Sequence, residues 1–152
     1  MNLEKFIVQL IEHEGLKLKP YVDTEGKLSI GVGRNLTDRG INRAEAMAML
    51  GRDIDEHVEE LRDALLWFDT LDEVRQRVLA DMVFNMGLGV LGGKHGLLSF
   101  SNTLLLVKNG EYATASRTML KSDWAQQVGV RAIRLSEMMA DGADHPLKRK
   151  MV

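Results

Sequence analysis

Glu14, Asp23 and Ser29 have the residue types and spacing of a hydrolytic site. Glu14 lies three residues beyond Ile11, four beyond Leu10 and seven beyond Ile7, so on a helix its carboxyl is aimed along the apolar face. Burial there and the negative end of the helix dipole both disfavour a charged carboxylate, the conditions under which an acid donates a proton near neutral pH. Nine residues later Asp23 opens a turn, and Ser29 returns on the strand that follows. Two carboxyls in unlike surroundings suit glycoside hydrolysis, in which one protonates the leaving oxygen and the other stabilises the cationic sugar or activates water. Each residue also has a plainer reading. Glu14 can bend out to solvent as a terminal helix residue, and Asp23 can do no more than cap its own turn. Arg131 shares a helical stripe with Leu135 and Met138. Its guanidinium either points inward, where it requires an anion such as Glu14, or snorkels to the rim.

The elements that must hold these groups are legible from periodicity. Leu3, Phe6, Ile7, Leu10 and Ile11 predict a first helix over 3–14, ended by Gly15. Asp23-Thr24-Glu25-Gly26 is a tight-turn signature, and Leu28, Ile30 and Val32 alternate with Ser29 and Gly31, which predicts a hairpin over 21–32. Its apolar parity faces a core and places Ser29 on the opposite, open face. Asn42 with Glu45 and Thr70 with Glu73 have capping-box spacing, each marking a helix start. Ile54, Val58, Leu61 and Leu65 give a stripe on a highly charged, mostly solvated helix that could bridge two lobes. From Leu71 to Met86, Val74, Val78, Leu79, Met82, Val83, Phe84 and Met86 surround most of a helix, which predicts a central helix buried on nearly all sides. A Gly-rich loop over 87–101 follows, then helices near 102–109, 111–121 and 130–141.

The expected fold is α+β and mostly helical. It has a small N-terminal lobe at about 1–52 carrying the hairpin, a connecting helix at about 53–66, and a helical lobe at about 67–145, with a cleft between the lobes as the default site. The length of 152 residues suits one domain, and 45% hydrophobic with 28% charged residues excludes a disordered chain. With no cysteine there is neither a disulfide nor a thiolate site. The interrupted N-terminus predicts no signal peptide and no stable membrane insertion. A formal net charge of -2 argues against nucleic acid as the main partner. The stretch 117–152 is locally basic, a hint of an anionic partner.

Other motifs carry nothing. Gly87, Gly89 and Gly92 fit a dinucleotide-binding spacing but follow a helix rather than a strand. Gly93-Lys94 lacks the earlier glycine of a phosphate loop, and His95 stands where Ser or Thr should hold magnesium. His13, His57, His95 and His145 are scattered, with no pair at a metal-ligand spacing, so no metal or organic cofactor is expected.

The blocks Glu14-Gly15-Leu16-Lys17-Leu18-Lys19, Tyr21, Asp23 to Gly26 and Ser29 to Asn35 resemble the signature of the phage lysozymes of glycoside hydrolase family 24. The similarity continues in order through Thr70 to Arg75, Met82 to Gly87, Phe100 to Leu104, Lys121 to Trp124 and Arg131 to Arg134. The resemblance implies a lysozyme-like fold and a muramidase cutting between N-acetylmuramic acid and N-acetylglucosamine in peptidoglycan. It implies Glu14 as general acid, Asp23 positioning and activating water with help from Ser29, inversion at the sugar, and Arg131 paired with Glu14. Phe84, Asn85, Asn35, Thr103 and Thr118 fall where family members line the sugar site.

There are departures. Ser29 replaces the usual threonine, which keeps the hydroxyl but loses the β-branch, so the water is expected to be held less firmly and activity to survive at a reduced level. Arg34 and His13 imply rewired ion pairs. Gly129 replaces a proline, and a solvated tail is expected at Lys148-Arg149-Lys150. The resemblance further implies a monomeric endolysin that lyses the host. It would accumulate in the host cytoplasm and reach the wall once a separate membrane-permeabilising protein opens the way. The alternatives are a catalytically silent wall-binding or virion structural protein with this fold, and a purely helical interaction module. Intact Glu14 and Asp23 argue against silence.

Overall fold

The computed structural model describes residues 1–146, so the Lys148-Arg149-Lys150 run lies outside the described residues. The chain divides into two compact units, Met1–Leu50 and the residues from Gly51 on. In the first, α1 (Leu3–Glu14) starts at Asn2, whose side chain accepts from the Lys5 amide, and ends at Gly15, whose amide donates to Ile11. Three antiparallel strands follow, β1 (Lys17–Val22), β2 (Leu28–Gly31) and β3 (Arg34–Asn35), in the order β1-β2-β3. The third strand extends the predicted hairpin. Register slips between Lys17 and Tyr21, the stretch that contains Pro20, and a proline's missing N–H is tolerated in an edge strand.

The parity expectation for β2 fails. Ser29 is 2% exposed, while Leu28 and Val32 are exposed. Ser29 sits in the middle strand with Tyr21 opposite on one side and Asn35 on the other.

Helix α2 (Arg43–Ala64) runs from the first unit into the second without a break at Gly51. Its start is the expected capping box, in which the Glu45 amide donates to Asn42 Oδ1 at 3.0 Å and the Asn42 amide to Glu45 Oε2 at 2.8 Å. Only Leu61 is buried along its length.

In the second unit a 3-10 turn (Phe68–Thr70) precedes α3 (Glu73–Met86). Thr70 does not cap α3. Its hydroxyl donates to the Trp67 carbonyl at 2.6 Å, and Asp72 caps the helix by accepting from the Arg75 amide at 3.0 Å. A second 3-10 turn (Leu97–Ser99) leads into α4 (Ser101–Lys108), α5 (Tyr112–Met119), α6 (Asp123–Val128) and α7 (Val130–Asp141). The six-residue α6 has no counterpart in the sequence expectation. Gly129 links α6 to α7 at φ +55°, a conformation closed to proline, so the expectation that glycine merely loosens this turn gives way to a backbone requirement.

Leu61, Val78, Leu79, Met82, Val83, Leu97, Val107, Met119 and Met139 form the centre of one apolar core. Phe84 is the exception on α3, 44% exposed instead of enclosed. Arg75 joins distant parts of this unit. It donates to the carbonyls of Met139 at 2.9 Å and Ala140 at 3.0 Å, pairs with Asp72 at 2.5 Å, and stacks on the Tyr112 ring. These bonds satisfy carbonyls at the end of α7 that a helix cannot satisfy itself.

Candidate active site

Asp23 is the organised centre of the N-terminal unit. The turn after β1 folds its carboxylate back over its own backbone, so Oδ1 accepts from the amides of Glu25 and Lys27, each at 2.9 Å. The backbone closes the same turn, with the Asp23 amide donating to the Lys27 carbonyl at 2.8 Å. The second carboxylate oxygen accepts from the Ser29 hydroxyl at 3.1 Å. The Lys27 amide first, then the Glu25 amide, the Ser29 hydroxyl and the Lys27 charge, hold the Asp23 pKa below its ordinary value against partial desolvation. Asp23 is therefore an ionised, oriented carboxylate with a hydroxyl beside it. That chemistry suits accepting a proton from water or stabilising a nearby positive charge.

Asn35 is opposite Ser29 in the sheet. Its side chain accepts from the Asp38 amide at 2.9 Å and donates to the Asp38 carboxylate at 3.0 Å, so Asn35 fixes the turn after β3. Arg34 grips Glu45 with both terminal nitrogens and donates to the Gly40 carbonyl at 3.1 Å. This pair ties β3 to the start of α2.

Glu14 ends α1 and faces the loop between β2 and β3. A Cβ on Gly33 would lie 3.2 Å from Glu14 Oε2, so the absence of a side chain at Gly33 leaves room for the carboxylate. The poorly hydrated carboxyl expected from helical spacing is not found. Glu14 is exposed, and α1 carries no buried residue because its apolar stripe is itself exposed.

The remaining expected residues lie in the second unit. Arg131 is half-buried, and the anion it meets is Asp81 rather than the expected Glu14. Its Nε donates to Asp81 Oδ1 at 2.7 Å and its Nη2 to the Asp81 carbonyl at 3.3 Å. Phe84 meets His57 edge to face at 5.7 Å. Asn85 Oδ1 accepts from the Trp124 indole at 2.9 Å. Thr103 and Thr118 line a cavity of about 520 Å³ within this unit, where the Thr118 hydroxyl donates to the Thr114 carbonyl. The structure thus gathers Asp23, Ser29 and Asn35 on one sheet, and Thr103 and Thr118 in one cavity.

Sequence reasoning missed Lys27, Gly33, Asp81 and the cavity residues Lys94, His95 and Asp123. A turn reading that counted amide donors beyond Gly26 would have found Lys27. Among the described residues no His, Asp and Glu group is placed to hold a metal ion, and no helix is long and apolar enough to cross a membrane.

Comparison with known proteins bears on this geometry. The phage lysozyme family model matches residues 11–138. "Probable T4-type lysozyme 1" of Dictyostelium discoideum is 25% identical, over 85% of this chain and 89% of that protein. "Probable T4-type lysozyme 2" of the same organism is 23% identical over the same shares. The "Pre-baseplate central spike protein Gp5" of Enterobacteria phage T4 is 27% identical over 85% of this chain, which corresponds to 26% of the spike protein.

Proposed function

The chain belongs to the phage lysozyme family, and on that premise we propose that it is a muramidase hydrolysing the β-1,4 bond between N-acetylmuramic acid and N-acetylglucosamine in peptidoglycan. The observation that carries this reading is the Asp23 carboxylate, held ionised by two backbone amides and touched by the Ser29 hydroxyl. In the proposed reaction Glu14 donates its proton to the leaving glycosidic oxygen. Asp23 takes a proton from water as that water attacks the anomeric carbon, and the Ser29 hydroxyl helps hold the water. One bond to the leaving oxygen breaks and one to water forms, with no covalent sugar adduct, so the configuration inverts. Phe84, Asn85, Asn35, Thr103 and Thr118 are the proposed glycan-contacting residues, and Arg131 is the proposed supporting cation. In this proposal the protein acts as a monomer. It accumulates in the host cytoplasm and reaches the wall through a separate membrane-permeabilising protein, and host lysis follows.

Clearing of suspended peptidoglycan tests the reading. Wild type should clear walls and leave a new reducing end whose first-formed anomer is α, while Glu14→Gln, folded to the same extent, should fall by about 10²- to 10⁴-fold. Walls that stay turbid although the protein binds them would favour a silent structural role. A β first product would replace inversion by retention.

A further inference from the structure

Lys27 brings more to the Asp23 turn than an amide. Its ammonium donates to Asp38 Oδ1 at 3.0 Å, from the turn after β1 to the turn after β3. Asp38 is itself fixed. Its amide donates to Asn35 Oδ1 at 2.9 Å, and its other carboxylate oxygen accepts from Asn35 Nδ2 at 3.0 Å. The next residue, Leu28, joins the same two turns through its backbone. Its amide donates to the Thr37 hydroxyl at 2.9 Å, and its carbonyl accepts from the Leu36 amide at 2.7 Å. A lone surface ion pair adds little to stability. Here one partner is locked by two further hydrogen bonds and the other belongs to the turn whose amides hold Asp23, so the place of the charge is defined.

The charged and titratable groups on the elements flanking Asp23 are few. On β1, Lys17 stacks on the Tyr21 ring at 3.9 Å and Lys19 is exposed. Arg34 on β3 and Arg39 beyond Asp38 act on Glu45. Glu14 ends α1 against Gly33, and Glu25, in the turn itself, is exposed. The Lys27 amide first, then the Glu25 amide and the Ser29 hydroxyl, favour the ionised Asp23 against partial desolvation, and the Lys27 ammonium adds its field to theirs.

We propose that Lys27, anchored by Asp38, is a positioning residue whose ammonium sets the acid limit of hydrolysis by its charge beside Asp23. The inference rests on the reading of Asp23 as the carboxylate that takes the proton from water, and the Lys27 side chain touches no reacting atom in it. Removing a positive charge raises the pH at which a neighbouring carboxylate takes up a proton, and the acid limb of kcat/KM follows that uptake in the free enzyme.

The first measurement needs no substrate. The Asp23 carboxyl carbon of ¹³C-labelled protein, assigned against Asp23→Asn, is titrated with acid in wild type, Lys27→Gln and Lys27→Arg, all of which keep the amide at position 27. Lys27→Gln should raise the midpoint by about 0.3–0.7 pH units, Lys27→Arg should restore it, and salt near roughly 0.5 M should shrink the difference. In the Asp38→Asn background the Lys27→Gln shift should fall to about half or less, because the ammonium has lost its anchor. A midpoint unmoved by Lys27→Gln, or moved as far by Lys27→Arg, overturns the proposal. An undiminished shift in Asp38→Asn overturns the anchor.

The second measurement is the pH profile of wall clearing. Its acid limb should move upward in Lys27→Gln by the same amount as the carboxyl midpoint and return in Lys27→Arg, whatever the plateau. A midpoint that moves while the limb stays overturns Lys27 as the residue that sets the acid limit. Walls never cleared while the midpoint moves refute the muramidase reading and leave the effect of Lys27 on Asp23 standing. Cleared walls with an unmoved midpoint do the reverse.

Discussion

In the N-terminal unit the one buried side chain is the hydroxyl-bearing Ser29, whereas from Leu61 onward apolar side chains close into a continuous core. The first unit is held by directed polar contacts: the Asp23 turn, the Asn42–Glu45 capping box and the Arg34–Glu45 pair. The second is held by burial, with polar bonds added at the helix ends. The difference shows why the oriented carboxylate is found where it is. A hydrogen-bonded turn fixes a charged group's direction while leaving it hydrated, and an apolar core would neutralise the same group or demand a partner.

Four substitutions bear on this contrast. Asp23→Ala should have the largest effect, lowering wall clearing per folded molecule by about 10²- to 10⁴-fold. Unchanged clearing would remove Asp23 from the site. Met82→Ala, at the centre of the core, should cost about 2–5 kcal/mol in denaturant unfolding and leave clearing per folded molecule intact. A loss below 1 kcal/mol, on the order of a surface change, would mean that burial does not hold this unit. Ser29→Ala removes one hydrogen bond to Asp23 and should lower clearing by about three- to tenfold, with Ser29→Thr close to wild type.

The smallest effect is a change in shape with pH. Asp23 has a lowered pKa in the folded chain, so its stabilisation is full above its ordinary value of 3.8 and is lost as pH falls through the folded value. Thermal unfolding of wild type and Asp23→Asn should therefore converge as the solution is acidified below about pH 4. Curves that stay parallel would show that the turn does not depend on the carboxylate's charge.

How far the sequence carried depends on the range of the interactions. Helix α1 was legible to the residue because its period and Gly15 are both local signals. The Asp23 turn was legible for the same reason. The face of Ser29 was misjudged because alternation tells which residues share a face, not which face is covered. Here the polar face is the covered one, with Ser29 2% exposed and Leu28 exposed. Helix α6 is too short for periodicity to register. Thr70 and Asp72 are both good caps, and the turn that consumed the Thr70 hydroxyl decided between them. The inward reading of Arg131 required an anion, but Asp81 lies 50 positions away in sequence, and only the packing of α3 on α7 names it. The cavity is assembled from a loop and four helices, so no single segment shows it.

Arg75 gives the C-terminal unit an order of assembly. Its guanidinium reads carbonyls 64 and 65 positions downstream, so the last turn of α7 docks onto a receptor that leaves the ribosome much earlier. In the folded unit Asp72 and the Tyr112 ring hold the same guanidinium, so those late carbonyls meet a donor whose direction is already fixed.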